Sequence, residues 1–479
     1  MTSAFVIRIA APLYRRLRPL ARRSLSYAVK ERLAPLAEAA FAGEIEHRFD
    51  RRAIALRMAE PAFVPELFAR GPILLVNNAL AWGGVERQVV NTLLGVADLT
   101  ELSLGLLCLR LGESPDHDFY KPALAAFAGF VRNAMDPDAA EEALARTLDD
   151  AALLRIKAAI GWLPDAVRAE VLRFAAEFAS LKPSVVHAWQ DAASIAAGYA
   201  ARLVGVPRII LSGRNVAPPN FATFRPYMVH AYRELAACPG VVLVNNSEAG
   251  AADYARWLGL PPDRFRVKRN GIDPPRSQRA NPGSVVALRA RLGIPEGVPV
   301  VGSIFRFCEE KQPFLWIEAA ALVARCRPDA HFVIFGAGPL REKALALAAR
   351  RGLGTRLHFP GTMSDAALGL SLLDVFLLTS RFEGTPNVVL EASILGVPVV
   401  ATEAGGTREA IAPGSTGILV QEHDPRRIAD AVLSILGDPA WAPRARKEGP
   451  RFVAERFGFA RMLDETLRLY GLSGEPQAR

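Results

Sequence analysis

Glu383 and Glu391 stand eight positions apart in the stretch RFEGTPNVVLEASILGVPVVATEAGGTREAIAPGSTG, residues 381–417. The first falls in a Gly/Pro loop behind the apolar run Val375–Leu378, and the second falls on the helix expected to follow. A carboxylate accepts two hydrogen bonds in fixed geometry, which suits paired sugar hydroxyls. Gly384, Thr385, Pro386 and Asn387 lead into that helix. Its first N–H groups and positive dipole end suit a phosphate. One short segment thus has the parts to hold both halves of a nucleotide-sugar. The plainer reading is two solvated carboxylates around a loop, and a pair of Glu residues alone would not displace it.

Other chemistry-bearing residues sit at the ends of apolar runs. Val301–Phe305 is followed by Arg306 and Lys311. Two cations five apart on a strand-to-helix loop can straddle a diphosphate, Arg as a planar fork and Lys as a point charge. The alternative is a pair of exposed cations beside Glu309 and Glu310. Gly83 and Gly84 follow the run ending at Val76 and open a helix, which lets the backbone approach an anion or sugar. His187 closes the run Val185–Val186. It reads either as a satisfied core histidine or as a sugar-hydroxyl partner. Gly336 and Gly338 follow another strand, but no late Gly and no acidic ribose ligand complete a dinucleotide fingerprint. Asp136 and Asp138 have a metal–nucleotide spacing, yet they precede an Ala-rich helix and read better as an N-cap. No metal is expected.

These spaced elements resemble the E-x7-E signature of glycosyltransferase family 4, whose members are retaining enzymes of the GT-B fold. The likeness extends through Gly396–Thr402, Gly405-Gly406, Glu409 and Gly417, and covers nearly all of residues 71–470. The resemblance implies that Glu383 contacts hydroxyls of the donor sugar and Glu391 holds the ribose. Arg306 and Lys311 would meet the diphosphate, beside the helix beginning near Thr385. Gly83, Gly84 and Glu86 match the family's Gly-Gly-x-Glu element, and His187 would hydrogen-bond a sugar hydroxyl. Gly336 and Gly338 would lie near the nucleotide, and His358 where the base is held, mainly by backbone groups. Arg269-Asn270-Gly271-Ile272-Asp273 resembles a closing turn of the first domain. Gln312-Pro313 replaces the usual Gly after the lysine. The implied reaction moves a sugar from a UDP- or GDP-linked donor, with retention and no further cofactor. The implied acceptor is a glycan or polyprenyl-linked saccharide in exopolysaccharide or cell-surface glycan assembly. A catalytically inactive sugar- or lipid-binding protein, or an epimerase of the same fold, stands as the alternative.

Stepwise alternation of apolar runs with helical periodicity over residues 71–275, and again over 296–449, predicts two doubly wound parallel-sheet domains facing a cleft. A helical insertion is expected near 136–180, a linker over 276–295, and a helix over 450–470 that the family packs back on the first domain. A chain of 479 residues that is 51% hydrophobic has ample core for this. Cys108, Cys238, Cys308 and Cys326 have no C-x-x-C spacing, which argues for a reducing compartment and against a zinc site. No apolar run spans a bilayer and the start lacks a signal-peptide pattern, so a cytoplasmic location is expected. The formal charge of +9 is concentrated in a basic helical extension, residues 1–70. Its first 32 positions interleave eight Lys/Arg with Phe5, Ile7, Leu13, Tyr14 and other apolar residues. This pattern reads as contact with an anionic membrane surface on the inner face, or as a solvated helix. Nucleic acid is not expected, since no binding module accompanies the charge.

Overall fold

The computed structural model describes residues 43–272 and 278–472. The basic segment 1–32, Asp273 and the first part of the expected linker lie outside the described residues. Residues 43–70 are packed onto the first domain and form no free extension. A helix runs through residues 43–50, and single turns at Leu56–Met58 and Pro65–Phe68 place Ile45, Leu56 and Phe68 in the first-domain core. Arg52 Nε reaches Glu234 Oε1 at 2.9 Å, and the Tyr199 hydroxyl donates to Glu234 Oε2 at 2.6 Å.

The first domain is a seven-stranded sheet in the order β3-β2-β1-β4-β5-β6-β7. Its strands are β1 Ile73–Val76, β2 Leu104–Cys108, β3 Phe130–Asn133, β4 Val185–Trp189, β5 Arg208–Gly213, β6 Val241–Asn245 and β7 Phe265–Val267. The second is a six-stranded sheet ordered β10-β9-β8-β11-β12-β13. Here β8 is Val300–Ile304, β9 His331–Phe335, β10 Leu357–Gly361, β11 Val375–Leu378, β12 Val399–Thr402 and β13 Gly417–Val420. All pairings are parallel. The central strands are apolar along their whole length because helices cover both faces. Edge strands β3 and β7 were not legible as apolar runs: Phe130–Asn133 is only half-buried, and β7 is three residues long. Strand order reverses between β1 and β4, and between β8 and β11. Crevices form outside the carboxyl ends of strands at such points, and the two crevices face each other.

Three features differ from the expected organisation. The insertion is three helices, Pro137–Thr147, Asp150–Ile160 and Asp165–Leu181, whose Ile156, Trp162, Phe174 and Phe178 join the main core. The expected linker contains a helix, Pro282–Leu292, started by Asn281 capping Gly283 and by Pro282 in the first turn. Its Leu288 sits in the second-domain core. The terminal helix is two: Trp441–Phe457, with Pro450 inside, then Phe459–Tyr470 after an extended Gly458. The aromatic stripe therefore divides. Phe452 and Phe457 pack in the second domain, whereas Phe459, Met462, Leu463 and Tyr470 pack under β1 and β4 of the first.

That last helix is anchored by polar contacts as well. The Arg208 guanidinium donates to the Leu469 carbonyl at 3.0 Å. His187, fully buried in β4, pairs through Nδ1 with the Tyr470 hydroxyl and through Nε2 with Ser212 Oγ, each at 2.8 Å. Burial, with Lys268 and Arg214 nearby, holds its pKa well below the ordinary imidazole range. The unfolded chain protonates this ring near pH 6.5 while the folded chain does not, so stability is complete above that pH and falls as pH drops through it. Tyr470→Phe, which strands a buried ring nitrogen, should lower unfolding stability by about 1–3 kcal/mol in urea titrations at neutral pH. An unchanged midpoint would show that this contact does not anchor the helix. In the native protein stability should decline on acidification by up to about 1.4 kcal/mol per pH unit from this group.

Candidate functional site

A cleft of about 700 Å³ lies between the carboxyl ends of the two sheets. The second domain supplies its charged wall. Arg306, exposed, follows β8, and Lys311 ends a single helical turn, Glu309–Lys311. Lys311 pairs with Glu383, whose Oε1 also accepts from Ser380 Oγ at 2.7 Å. Burial would lower the lysine's pKa, but Glu383 outweighs it and holds the ammonium above its ordinary value. Glu391, buried on the helix Asn387–Ile394, pairs with Arg87 of the first domain. Burial pushes the Glu391 carboxyl up, and Arg87 opposes that. Between the two carboxylates Asn387 and Val388 line the cleft in the first helical turn, where N–H groups have no intrahelical acceptor. The helix is set by close packing behind it: a Cβ on Gly449 would come within 2.0 Å of the Ser393 carbonyl oxygen.

The first domain meets this wall along a hydrogen-bonded seam. Asn270 Nδ2 donates to Asn387 Oδ1 at 2.7 Å and to the Thr385 carbonyl at 3.0 Å. Thr385 Oγ1 donates to the Asn246 carbonyl at 2.7 Å, and Asn387 Nδ2 to that of Gly84 at 2.9 Å. Gln88 holds Gly271 through both backbone groups, at 2.9 and 3.0 Å. Glu409 accepts from the Glu248 and Ala249 N–H groups at 3.0 Å each, capping a first-domain helix from the second domain. Thr385 and Asn387 thus serve the seam with their side chains. Gly384 permits the approach, since a Cβ there would lie 2.4 Å from Asn246 Oδ1.

Glu86 folds over Gly83, where a Cβ would meet its Oε2 at 2.2 Å, and accepts from Gln190 Nε2 at 2.8 Å. Burial raises its pKa; the Gln190 hydrogen bond, Arg214 and Arg306 temper the rise. Gly83, Gly84, Arg306, Lys311, Glu383, Gly384, Thr385, Pro386, Asn387 and Glu391 all converge on the cleft or its seam.

Four expected residues do not line it. His187 belongs to the core under the terminal helix, its two nitrogens already matched, so the core reading of that histidine prevails. His358 lies toward the opposite end of β10, stacked on His331 with Nε2 at 3.1 Å from its Nδ1. The loop at the cleft end of that strand is instead Met363–Asp365. Gly336 and Gly338, at φ 138° and 151°, pack on the backbone of Phe305 and Phe307. They shape the loop that carries Arg306. Asp136 occupies the N-cap position of its helix without a side-chain cap bond, and among the described residues no group of three His, Cys, Asp or Glu could hold a metal.

Arg87, Arg214, Asn246 and Tyr120 enter the cleft without having been singled out from sequence. Arg214 carried a usable signal, a cation directly after an apolar strand, as Arg306 does. Arg87 carried one only through its neighbours Gly83, Gly84 and Glu86.

Known proteins resemble this chain in sequence and in fold. Residues 286–452 match the family described as glycosyl transferases group 1. The Vi polysaccharide biosynthesis protein VipC/TviE of Salmonella typhi is 36% identical over 239 residues, covering 49% of this chain and 41% of that one. The chain thus spans less than half of that relative's length. The 2-deoxystreptamine glucosyltransferase of Streptomyces kanamyceticus is 29% identical over 278 residues, 56% of this chain and 70% of its own. Among solved structures, Anabaena HepE in complex with UDP and glucose superposes with a TM-score of 0.66 at 19% identity, covering 84% of this chain and 99% of HepE. Residues 286–452 thus resemble the group 1 glycosyltransferases, and the two facing parallel sheets are the GT-B fold.

Proposed function

We propose that the protein transfers a sugar from a nucleotide-sugar to a hydroxyl of a glycan or lipid-linked acceptor, with retained anomeric configuration, in bacterial polysaccharide assembly. The observation that carries this is one helix N-terminus flanked in a single cleft by Lys311–Glu383 and by Glu391. A diphosphate would lie against Arg306, Lys311 and the helix end, ribose hydroxyls against Glu391, and hydroxyls of the donor sugar against Glu383. As the new bond to the acceptor oxygen forms and the bond to the diphosphate breaks, negative charge grows on the leaving group. Fixed cations and the dipole end stabilise it there without reorganising. Glu383 is tied to Lys311 and Ser380, which supports reading it as a binding group and not as the nucleophile. Glu391 is held by Arg87 in the ligand-free chain, so ribose would have to displace that guanidinium. UDP or UDP-glucose occupies HepE in its solved complexes, which favours a UDP-sugar as donor. The names of the Salmonella relative and of the lipopolysaccharide core glycosyltransferase LpsE of Rhizobium meliloti favour a cell-surface glycan as product.

Glu391→Gln should weaken UDP binding about tenfold to a hundredfold and depress transfer at least as much. Arg306→Ala and Lys311→Ala should weaken UDP and pyrophosphate alike, read by calorimetry. Near-wild-type affinity in all three would remove the donor site from this cleft.

With diphosphate charge met by fixed groups, turnover should persist in excess EDTA. Complete loss, restored by magnesium or manganese, would return attention to Asp136 and Asp138.

Residues 1–32 we assign to reversible contact with the inner face of the cytoplasmic membrane, each basic side chain contributing about 1 kcal/mol near an anionic surface. The full chain should co-sediment with anionic liposomes at low salt, and a chain lacking residues 1–32 should stay in solution. Equal behaviour of both would make the segment a solvated extension.

A further inference from the structure

The first-domain wall of the cleft, facing the Glu383 loop, is unusually cationic for a buried surface. Arg214 follows β5 and lines the cleft, its guanidinium 4.4 Å from the centre of a Trp189 ring. Lys268, after β7, lies 5.1 Å from the same indole. Arg214 Nη2 donates to Asn270 Oδ1, but Nε and Nη1 are buried without an acceptor. Lys268 is buried, and the acid that favours its charged form is Glu465 of the terminal helix. Glu86 is the acid that most favours the charged form of Arg214, yet its hydrogen bond goes to Gln190. Burial brings Arg214 down to about 9 and Lys268 well below the ordinary amine range; Arg214 and Arg461 further disfavour the charged form of Lys268, and Glu465 opposes them.

Such an arrangement is strained as it stands. Charge removed from water without a partner is strongly unfavourable, and unmatched guanidinium N–H groups add to the cost. An incoming anion relieves both. Arginine suits the purpose because it keeps its charge when buried and binds carboxylate or phosphate through several N–H groups. The donor diphosphate does not meet this need, since its partners Arg306, Lys311 and the helix end are on the other wall. The Arg214 main chain and the Asn246 side chain instead stand against Gly384, beside the carboxylate assigned to the donor sugar: a Cβ on Gly384 would lie 2.5 Å from the Arg214 carbonyl oxygen and 2.4 Å from Asn246 Oδ1, and the Arg214 guanidinium lines the same cleft.

We propose that Arg214, backed by Lys268, recognises an acidic group, carboxylate or phosphate, on one of the two sugars that react in this cleft. This rests on the donor-cleft reading and adds the class of substrate to it. The acid could come from the donor, as a uronyl group, or from the acceptor.

The test titrates the full chain with UDP, UDP-glucose and UDP-glucuronate. In the presence of UDP it then follows binding of methyl glucoside and methyl glucuronide by saturation-transfer NMR. If the donor supplies the acid, UDP-glucuronate should bind about tenfold or more tighter than UDP-glucose. If the acceptor supplies it, the glucuronide should be favoured by a similar ratio over the glucoside. Arg214→Gln should collapse whichever ratio appears, and Arg214→Lys should keep part of it. UDP binding with no preference in either pair overturns the proposal while leaving the donor cleft intact. A preference that survives in Arg214→Gln overturns it too. Failure of UDP itself to bind overturns the donor-cleft reading, and this inference with it.

Discussion

The seam from Asn270 to Asn387 and Thr385 is the constraint on which the rest depends. It joins two separately packed domains through buried amides, where a hydrogen bond is electrostatically stronger and an unmatched partner is costly. The same amides fix the start of the helix that carries Glu391 and presents its first N–H groups to the cleft. Position of the dipole end and position of the domains are therefore one property. Gln88 on Asn387 and Glu409 on the helix at Glu248 extend the seam to either side.

Charge is distributed around this seam in an asymmetric way. On the second-domain wall each carboxylate already has a cation: Glu383 has Lys311, and Glu391 has Arg87 reaching across the cleft. These pairs hold the two buried acids in place at the cleft. On the first-domain wall Arg214 keeps two guanidinium nitrogens without an acceptor, since Glu86 takes its hydrogen bond from Gln190.

The terminal helix Phe459–Tyr470 supplies a second, covalent tie. Its chain leaves the second domain at Gly458 and packs under β1 and β4, so the domains are joined twice. His187 belongs to that tie. A histidine at the third position of a central strand lies too deep in the sheet to reach a crevice beyond the strand's carboxyl end.

Much of this was legible in the residues alone. Apolar runs of strand length, separated by helical periodicity, determined two parallel sheets, because a strand covered on both faces has no polar side to show. The spacing of Glu383, Gly384–Asn387 and Glu391 determined a loop, a helix start and a carboxylate one turn in, and local backbone geometry brings those together in any fold. Arg306 and Lys311 were legible for the same reason, being on one loop. Tertiary structure alone decided what crosses between elements distant in sequence. Arg87 meets Glu391 from the other domain, Arg214 and Lys268 share an indole, and His187 and His358 turn away from the cleft. No periodicity reports which end of a strand a side chain occupies relative to a partner hundreds of residues away. Those contacts are set by how two sheets and a returning helix pack, and packing follows from the whole chain.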